Sequence, residues 1–421
     1  MAINLLSTTA RVETPFIIVT IGNYTFGAYS KKSKNVVDIS GNYTKTLTTY
    51  PNYMKSLTIN KVNGAVNTYT LNMIYAITPG DDPNLLEKVF GSVSSSRAIK
   101  ISYGDLSSPM FIYKEEEAII TDIKSSFNIE SSTINYTLSC TSTALSLSAG
   151  TFSFSKRKAK PSDVIKEILY DTRYGLLDVF YGMRDKDKVL QKGLILSDDQ
   201  EVTLEAQRSI TILDYLKYLV KCMSNIKDNK NNIIKQNIYT LVIMDDTTGI
   251  WGGPYFKISK LGQQNQVDTS DDIYEIDVGS FSKDSVLQFS VEDNQTYSIL
   301  YNYSKDIQQS DYIYRIDNNG KIISEYSPTI SNSRGLMKTT ELDKNWWTNV
   351  TQYPLTVSIT LKGLLRPAIL MSYVKLNILF YGRKHIHSGY YIITSQTDSI
   401  DDSGYRTTLK LTRIKGDSYD N

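Results

Sequence analysis

Only two cysteines, Cys140 and Cys222, occur in 421 residues. No disulfide framework can hold this fold, and both are expected to be buried thiols. Histidine is equally scarce: His385 and His387 are the whole supply. Any Ser-His-Asp or Cys-His nucleophile system would have to draw on that pair, and no Gly-x-Ser-x-Gly context accompanies it. No apolar run is long enough to cross a bilayer. The first fifteen residues have no basic region followed by a long apolar stretch, so no signal peptide is read. The Asn-x-Ser/Thr triplets at Asn23, Asn42, Asn135, Asn294, Asn302 and Asn349 are therefore taken as compositional. Lys+Arg 46 against Asp+Glu 44 leaves a formal charge of +2, so no global field recruits nucleic acid or an anionic membrane.

Tyrosine is in excess, 31 residues against 12 Phe and 3 Trp. Together with abundant Thr, Ser, Ile and Asn it favours strands and half-wet contact surfaces. Three such runs at 374–414, separated by Gly, Ser and Asp, read as consecutive antiparallel strands. A partial copy in the same order lies at 100–142. The copies align Tyr103-Gly104 with Tyr381-Gly382, Ile119-Ile120-Thr121 with Ile392-Ile393-Thr394, and Tyr136-Thr137-Leu138 with Thr408-Leu409-Lys410. On that alignment the loop after the first strand is longer in the first copy, 104–118 against 382–391.

Hairpins are expected around Gly22-Asn23 and Asn63-Gly64. Asp82-Pro83 before Leu85, Leu86, Val89 and Phe90, closed by Gly91, marks a short helix. Residues 1–150 are thus expected to form a first β-barrel-like tube domain. The basic run 156–161 reads as a strand-free connector. Ser162 is read as the cap of an amphipathic helix carrying Val164, Ile165, Ile168 and Leu169. A second helix over 209–223 turns Ile212, Leu213, Leu216, Leu219 and Val220 to one face. With strand-like pieces at 189–196, 238–244 and 255–258 and a polar loop at 227–235, residues 151–280 form an expected small α/β domain. Alternation resumes around Val286, Leu287, Phe289 and Val291, then at Tyr297, Ile299, Tyr301 and Tyr303. After a long polar excursion at 305–349 comes a strand at 354–365. Residues 281–421 are the expected second tube domain. The fold class is mainly β with an α+β insertion: two related antiparallel β-barrel-like domains flank a small α/β domain.

Catalytic groups are sparse. His385 and His387, one residue apart, would share a strand face, but a metal site needs three or four ligands, and Arg383 and Lys384 oppose a cation. The pair would ligate only by meeting its symmetry mates around a three-fold axis; the plainer reading is a solvated loop. The carboxylate pairs Asp81-Asp82, Asp245-Asp246, Asp271-Asp272 and Asp401-Asp402 sit at turns or a helix start, where Asp bonds its own backbone. The stretch 249–254 is glycine-rich but lacks the lysine and hydroxyl residue of a phosphate loop. No cofactor, metal or catalytic residue is assigned. Trp251, Trp346, Trp347, Arg383, Lys384, His385 and His387 are the candidate partner contacts.

The helix at 160–169 (KPSDVIKEIL), the helix at 213–219 (LDYLKYL), the strand at 286–290 (VLQFS) and the closing runs at 389–393 and 404–411 follow one another in a specific order. That order, over nearly the whole chain, resembles the baseplate hub of contractile phage tails and the hub portion of type VI secretion spike proteins. The resemblance implies a structural virion protein rather than an enzyme. Two tube domains of one origin in each of three copies would form a pseudo-hexameric ring. Its partners would be itself as a homotrimer, a tail tube protein above, a trimeric spike below, other baseplate proteins, and DNA only as passing cargo, with no membrane insertion. Its place would be the virion tail baseplate, assembled in the host bacterial cytoplasm. The chain departs from fused members by ending at Asn421 without a lysozyme segment or β-helix needle, so the spike is expected to be a separate chain. Two other readings remain open: a receptor- or glycan-binding tail module resting on the tryptophans, and a cell-wall hydrolase.

Overall fold

Residues of alternating polarity become strands that bury every second side chain, as in Thr68–Ala76, Thr133–Ser142 and Leu355–Leu361. The computed structural model describes residues 2–4, 15–22, 24–27, 48–50, 54–91, 98–105, 112–171, 173, 201–223, 225–227, 233–236, 238–244, 255–261, 273–279, 286–293, 312–316, 322–326, 355–362, 370 and 373–416. Twelve strands form two six-strand units. The first unit contains β1 (Pro15–Ile21), β2 (Met54–Val62), β3 (Thr68–Ala76), β4 (Ala98–Asp105), β5 (Ile112–Asn128) and β6 (Thr133–Ser142). The second contains β7 (Ile273–Gly279), β8 (Val286–Asp293), β9 (Leu355–Leu361), β10 (Tyr373–Phe380), β11 (Gly389–Asp401) and β12 (Gly404–Gly416). Their spatial orders are β1-β4-β5-β6-β3-β2 and β7-β10-β11-β12-β9-β8, joined through β2 and β11 into one sheet of sixteen strands. The class is mainly β with a helical insertion.

The two units match strand for strand, and even in their irregularities. β5 bulges at Thr121 between Ile120 and Asp122, and β11 at Thr394 between Ile393 and Ser395. The Thr121 hydroxyl donates to the Ser139 carbonyl at 2.9 Å, and that of Thr394 to the Lys410 carbonyl at 3.1 Å. A second bulge falls at Lys55 in β2 and again at Leu287 in β8. Bulges bend a strand and raise its twist, so repeated bulges give both sheets the same curvature. One pairing breaks the match: β1 runs antiparallel to β4, whereas β7 runs parallel to β10. The strand Ala2–Asn4 lies parallel beside β7, so the start of the chain belongs to the second unit's sheet.

The registers correct part of the repeat alignment. Ile119-Ile120-Thr121 does match Ile392-Ile393-Thr394. Cys140 opposes Ile120 as Leu411 opposes Ile393, so Tyr136-Thr137-Leu138 matches Thr407-Thr408-Leu409, one residue from the sequence alignment. A one-residue slip would turn buried Leu138 against the wrong face. Ala98 opposes Ile119 as Tyr373 opposes Ile392, so Tyr103 matches Ile378 and the Tyr-Gly pairing fails. Between these matched pairs the first copy is only two residues longer (98–119 against 373–392), far less than the loops compared in sequence.

Among the described residues the core falls into three apolar clusters, two of them within the large sheet. The first unit packs Leu57, Ile59, Leu71, Ile101 and Leu138, covered by Leu86 and Val89 of helix α1 (Leu85–Gly91). The second unit packs Val357, Ile359, Leu376, Ile393 and Leu409. Between them in sequence, helices α2 (Pro161–Tyr170) and α3 (Ile212–Cys222) bury Ile165, Leu169, Leu216 and Leu219 against each other. Each such fully buried side chain contributes about 1.5–3 kcal/mol. The inward faces of α2 and α3 read from sequence hold, and Cys140 and Cys222 are buried thiols; Leu287, read with the apolar alternation of β8, is instead 56% exposed because the strand bulges there.

Local details differ. Lys160 occupies the cap position of α2 without a side-chain bond, and Ser162 is buried inside the first turn, because Pro161 at the first helical position sets the start. At α3 the cap is Thr211, whose hydroxyl accepts the Asp214 amide and donates to its carboxylate. The basic run is not strand-free: Arg157–Ala159 pairs with Val202–Leu204. Glu205, Glu167 and Glu201 lie 3.0, 2.6 and 3.7 Å from Lys156, Arg157 and Lys158, so the cations face carboxylates. Asn225–Lys227 and Ile233–Gln236 also pair, at the ends of the expected polar loop. The expected strands at 189–196 and 297–303 lie outside the described residues.

Candidate functional site

The feature that joins the two units is the pairing of β11 with β2. β11 is long enough to serve two neighbours. Tyr390, Tyr391 and Ile392 pair with β10, and beyond the Thr394 bulge Ser395 to Ile400 oppose Val62 to Leu57. Asn60 accepts a hydrogen bond from the Thr397 hydroxyl at 3.0 Å on the outer face. On the inner face Ile400 and Tyr405 enter the first unit's apolar cluster.

Beneath this joint lies a buried polar network drawn from six strands. Glu116 of β5 is fully buried and bonds three donors: Lys61 Nζ of β2 at 2.5 Å, and the hydroxyls of Tyr69 (β3) and Tyr103 (β4) at 2.7 Å each. Asp398 of β11 accepts from Gln396 at 2.7 Å and, from β12, from Thr407 at 2.5 Å and Tyr405 at 3.2 Å. The Tyr103 and Tyr405 rings meet edge to face with centroids 6.2 Å apart, bridging the two halves of the network. Burial works to raise the Glu116 carboxyl, but the Lys61 ammonium and the three hydrogen bonds outweigh it and hold the group below its ordinary value. Burial, then the nearby carboxylates, pushes the Tyr103 and Tyr405 phenols well above theirs. An ion pair satisfied on every side fixes one geometry at little net gain in stability, as a specific joint requires. Glu116, Gln396, Asp398 and Thr407 are each at most 1% exposed, so the network is closed to solvent. The sequence offered no signal for it, since its members are ordinary alternating strand residues.

The histidine pair lies elsewhere, on the tip that follows β10. Arg383 and Lys384 fold back onto Phe380 and Leu379 through a turn with Tyr381 and Gly382 at positive φ. All four residues from Tyr381 to Lys384 are exposed. The next turn is anchored by buried Ser388, whose amide donates to the His385 carbonyl and whose hydroxyl bonds the backbone of Ile378. The two imidazoles are therefore side by side in a turn, not on a strand, with centroids 4.8 Å apart. His385 Nδ1 accepts the His387 amide at 3.3 Å, and its ring packs edge-on against Phe380. Phe380, Tyr381 and Ile386 make this tip an exposed apolar surface rimmed by cations. Trp251, Trp346 and Trp347 lie outside the described residues, so the structure brings together only the Arg383, Lys384, His385 and His387 part of the candidate set.

Among the described residues no group of three or more His, Cys, Asp or Glu is placed to hold a metal. None of their helices is long and apolar enough to cross a membrane. Of the carboxylate pairs, Asp82 bonds the Asn84 amide at the start of α1, and Asp401 bonds the Ser403 amide in the β11–β12 turn, both local backbone roles.

No family model and no curated protein matches the chain. Among solved structures it is similar to the 43 kDa tail protein of prophage MuSo2 from Shewanella oneidensis, with 11% identity and a TM-score of 0.49 over 95% of this chain and 99% of that one. It is similar to a tail protein from Neisseria meningitidis, with 9% identity and a TM-score of 0.49 over 95% and 97%. An E. coli component of the type VI secretion system follows, with 8% identity and a TM-score of 0.44 over 87% and 74%.

Proposed function

We propose that this protein is a non-catalytic hub of a phage-tail-like assembly, a homotrimer whose three copies set six β-units in a ring. The observation that carries the reading is the internal duplication: two units with the same strand order and the same two bulges, joined edge to edge in one sheet. A chain holding two near-equivalent units is suited to join a six-fold partner to a three-fold one. Three copies repeat the unit six times, and the differences between units leave only the three-fold exact. On this reading a hexameric tail tube docks above and a trimeric spike below, DNA passes through the ring, and the particle belongs to the virion tail baseplate, assembled in the host bacterial cytoplasm. The three folding units are 1–150, 151–280 and 281–421, with Ala2–Asn4 and β7 exchanged into the sheet of the last. The exposed tip carrying Phe380, Tyr381, Arg383 and Lys384 serves as a contact with one of these partners.

Mass measurement in solution with negative-stain imaging tests this. The expected result is a trimer with a central hole. A protein that stays monomeric at high concentration and also fails to bind a spike chain overturns the reading.

A further inference from the structure

The joint inside the chain has open counterparts at its two ends. β5 matches β11, and its segment 122–128, which matches 395–401, pairs with β6 on one edge. Among the described residues its other edge has no strand. β8 matches β2; it pairs with β9 on one edge, and among the described residues its other edge is likewise empty. Each chain thus presents both halves of a second joint of the kind it has already made once.

We propose, building on the ring reading above, that 123–127 of one copy pairs antiparallel with β8 of the next, in the register of the internal joint. In that joint Ile400 opposes Leu57, Ser399 opposes Thr58, Asp398 opposes Ile59 and Thr397 opposes Asn60. Carried over through the matched bulges, Phe127 opposes Phe289 of the next copy, Ser126 opposes Ser290, Ser125 opposes Val291, Lys124 opposes Glu292 and Ile123 opposes Asp293. The transferred register places a cation against a carboxylate and an aromatic ring against an aromatic ring, two pairings that stabilise adjacent strands.

Exposure agrees with this. Ile400 is 3% exposed and Gln396 1%, whereas their counterparts Phe127 and Ile123 are 62% and 40% exposed. Leu57 and Ile59 are fully buried, whereas their counterparts Phe289 and Val291 are only partly so. The linings match too. In the first unit the ring of Tyr103 meets that of Tyr405, a donor to Asp398, and Tyr103 with Tyr69 bonds Glu116. At the corresponding positions the second unit has Gly389, Val357 and Ile378, an apolar wall suited to Ile123 and Phe127. Added strands also remove two open sheet edges, which an isolated chain would leave as templates for aggregation.

Directly opposed strand residues lie about 4.5–5.5 Å apart at Cα, within disulfide reach. The test is the full chain carrying Ser126→Cys and Ser290→Cys, both at exposed positions, oxidised and run without reductant. The expected product is a covalent closed trimer, while Ser126→Cys with Val291→Cys, which faces the other way, gives none. Lys124→Glu should raise the concentration needed for ring formation about ten-fold through like-charge repulsion, and adding Glu292→Lys should restore it. Rings that form without the Ser126–Ser290 bridge and are indifferent to Lys124→Glu overturn this joint and leave the hub reading standing. A protein that forms no ring, with or without a spike chain, overturns both.

Discussion

Ile400 and Phe127 hold the same place in two copies of one strand, one residue from the turn that ends it, and one is 3% and the other 62% exposed. The difference lies in the neighbour: β2 covers Ile400, and no described strand covers Phe127.

Truncating them should therefore have opposite signatures. Ile400→Ala empties a site in the first unit's cluster and should lower the stability of the isolated chain by about 2–5 kcal/mol in urea unfolding. Phe127→Ala should change that stability by less than about 0.5 kcal/mol and weaken assembly instead, which sedimentation over a concentration series reads.

Thr121→Val and Thr394→Val each remove a bulge hydrogen bond at an equivalent position. Each should cost about 0.5–1.5 kcal/mol, and the two losses should be similar. A loss confined to one would show that the bulges are not equivalent.

Glu116→Gln leaves Lys61 buried without its carboxylate and should destabilise the chain by about 3–5 kcal/mol. Adding Lys61→Met should recover much of that, because both charges are then gone. The pH dependence has a definite sign. The folded carboxyl titrates below the unfolded value of 4.5, so the unfolded chain binds more protons in this range and the stabilisation is present in full above about pH 4.5. It is lost as pH falls through the folded value, and Glu116→Gln should flatten that acid arm of the stability curve.

The alkaline arm belongs to the tyrosines. Tyr103 and Tyr405 have folded phenol values raised well above 10.0, so their contribution is complete below that pH and is lost as pH rises toward the folded values. Tyr405→Phe should reduce the loss of stability measured by denaturant titration above about pH 10, while at neutral pH it costs roughly 1 kcal/mol for the hydrogen bond to Asp398.

Much of the local structure was legible before folding was considered. Alternation identified β2, β3, β6 and β9, Asn63-Gly64 marked a hairpin with Gly64 at positive φ, and the apolar faces of α2 and α3 are the buried ones. These depend on side-chain period and local backbone preference, which travel with the segment. The Ile-Ile-Thr echo also pointed to the duplication: its Thr is the bulged residue in both copies, with its hydroxyl bonded to the neighbouring strand.

Register and joint were a different matter. The alignment slipped by one at Thr407 and by three at Tyr381, since composition does not say which residue stands opposite which. The basic run 156–161 looked like a connector because its strand partner and two of its three glutamates, Glu201 and Glu205, lie more than forty residues away. The joint was less visible still: Thr397 and Asn60 stand 337 positions apart. By itself the sequence determined which segments are strands, which faces they bury and that one unit occurs twice. Tertiary structure alone decided which edges meet, because backbone pairing is nearly independent of side chain, and the choice among open edges falls to the bulges, the Lys61–Glu116 network and the shape of the folded units.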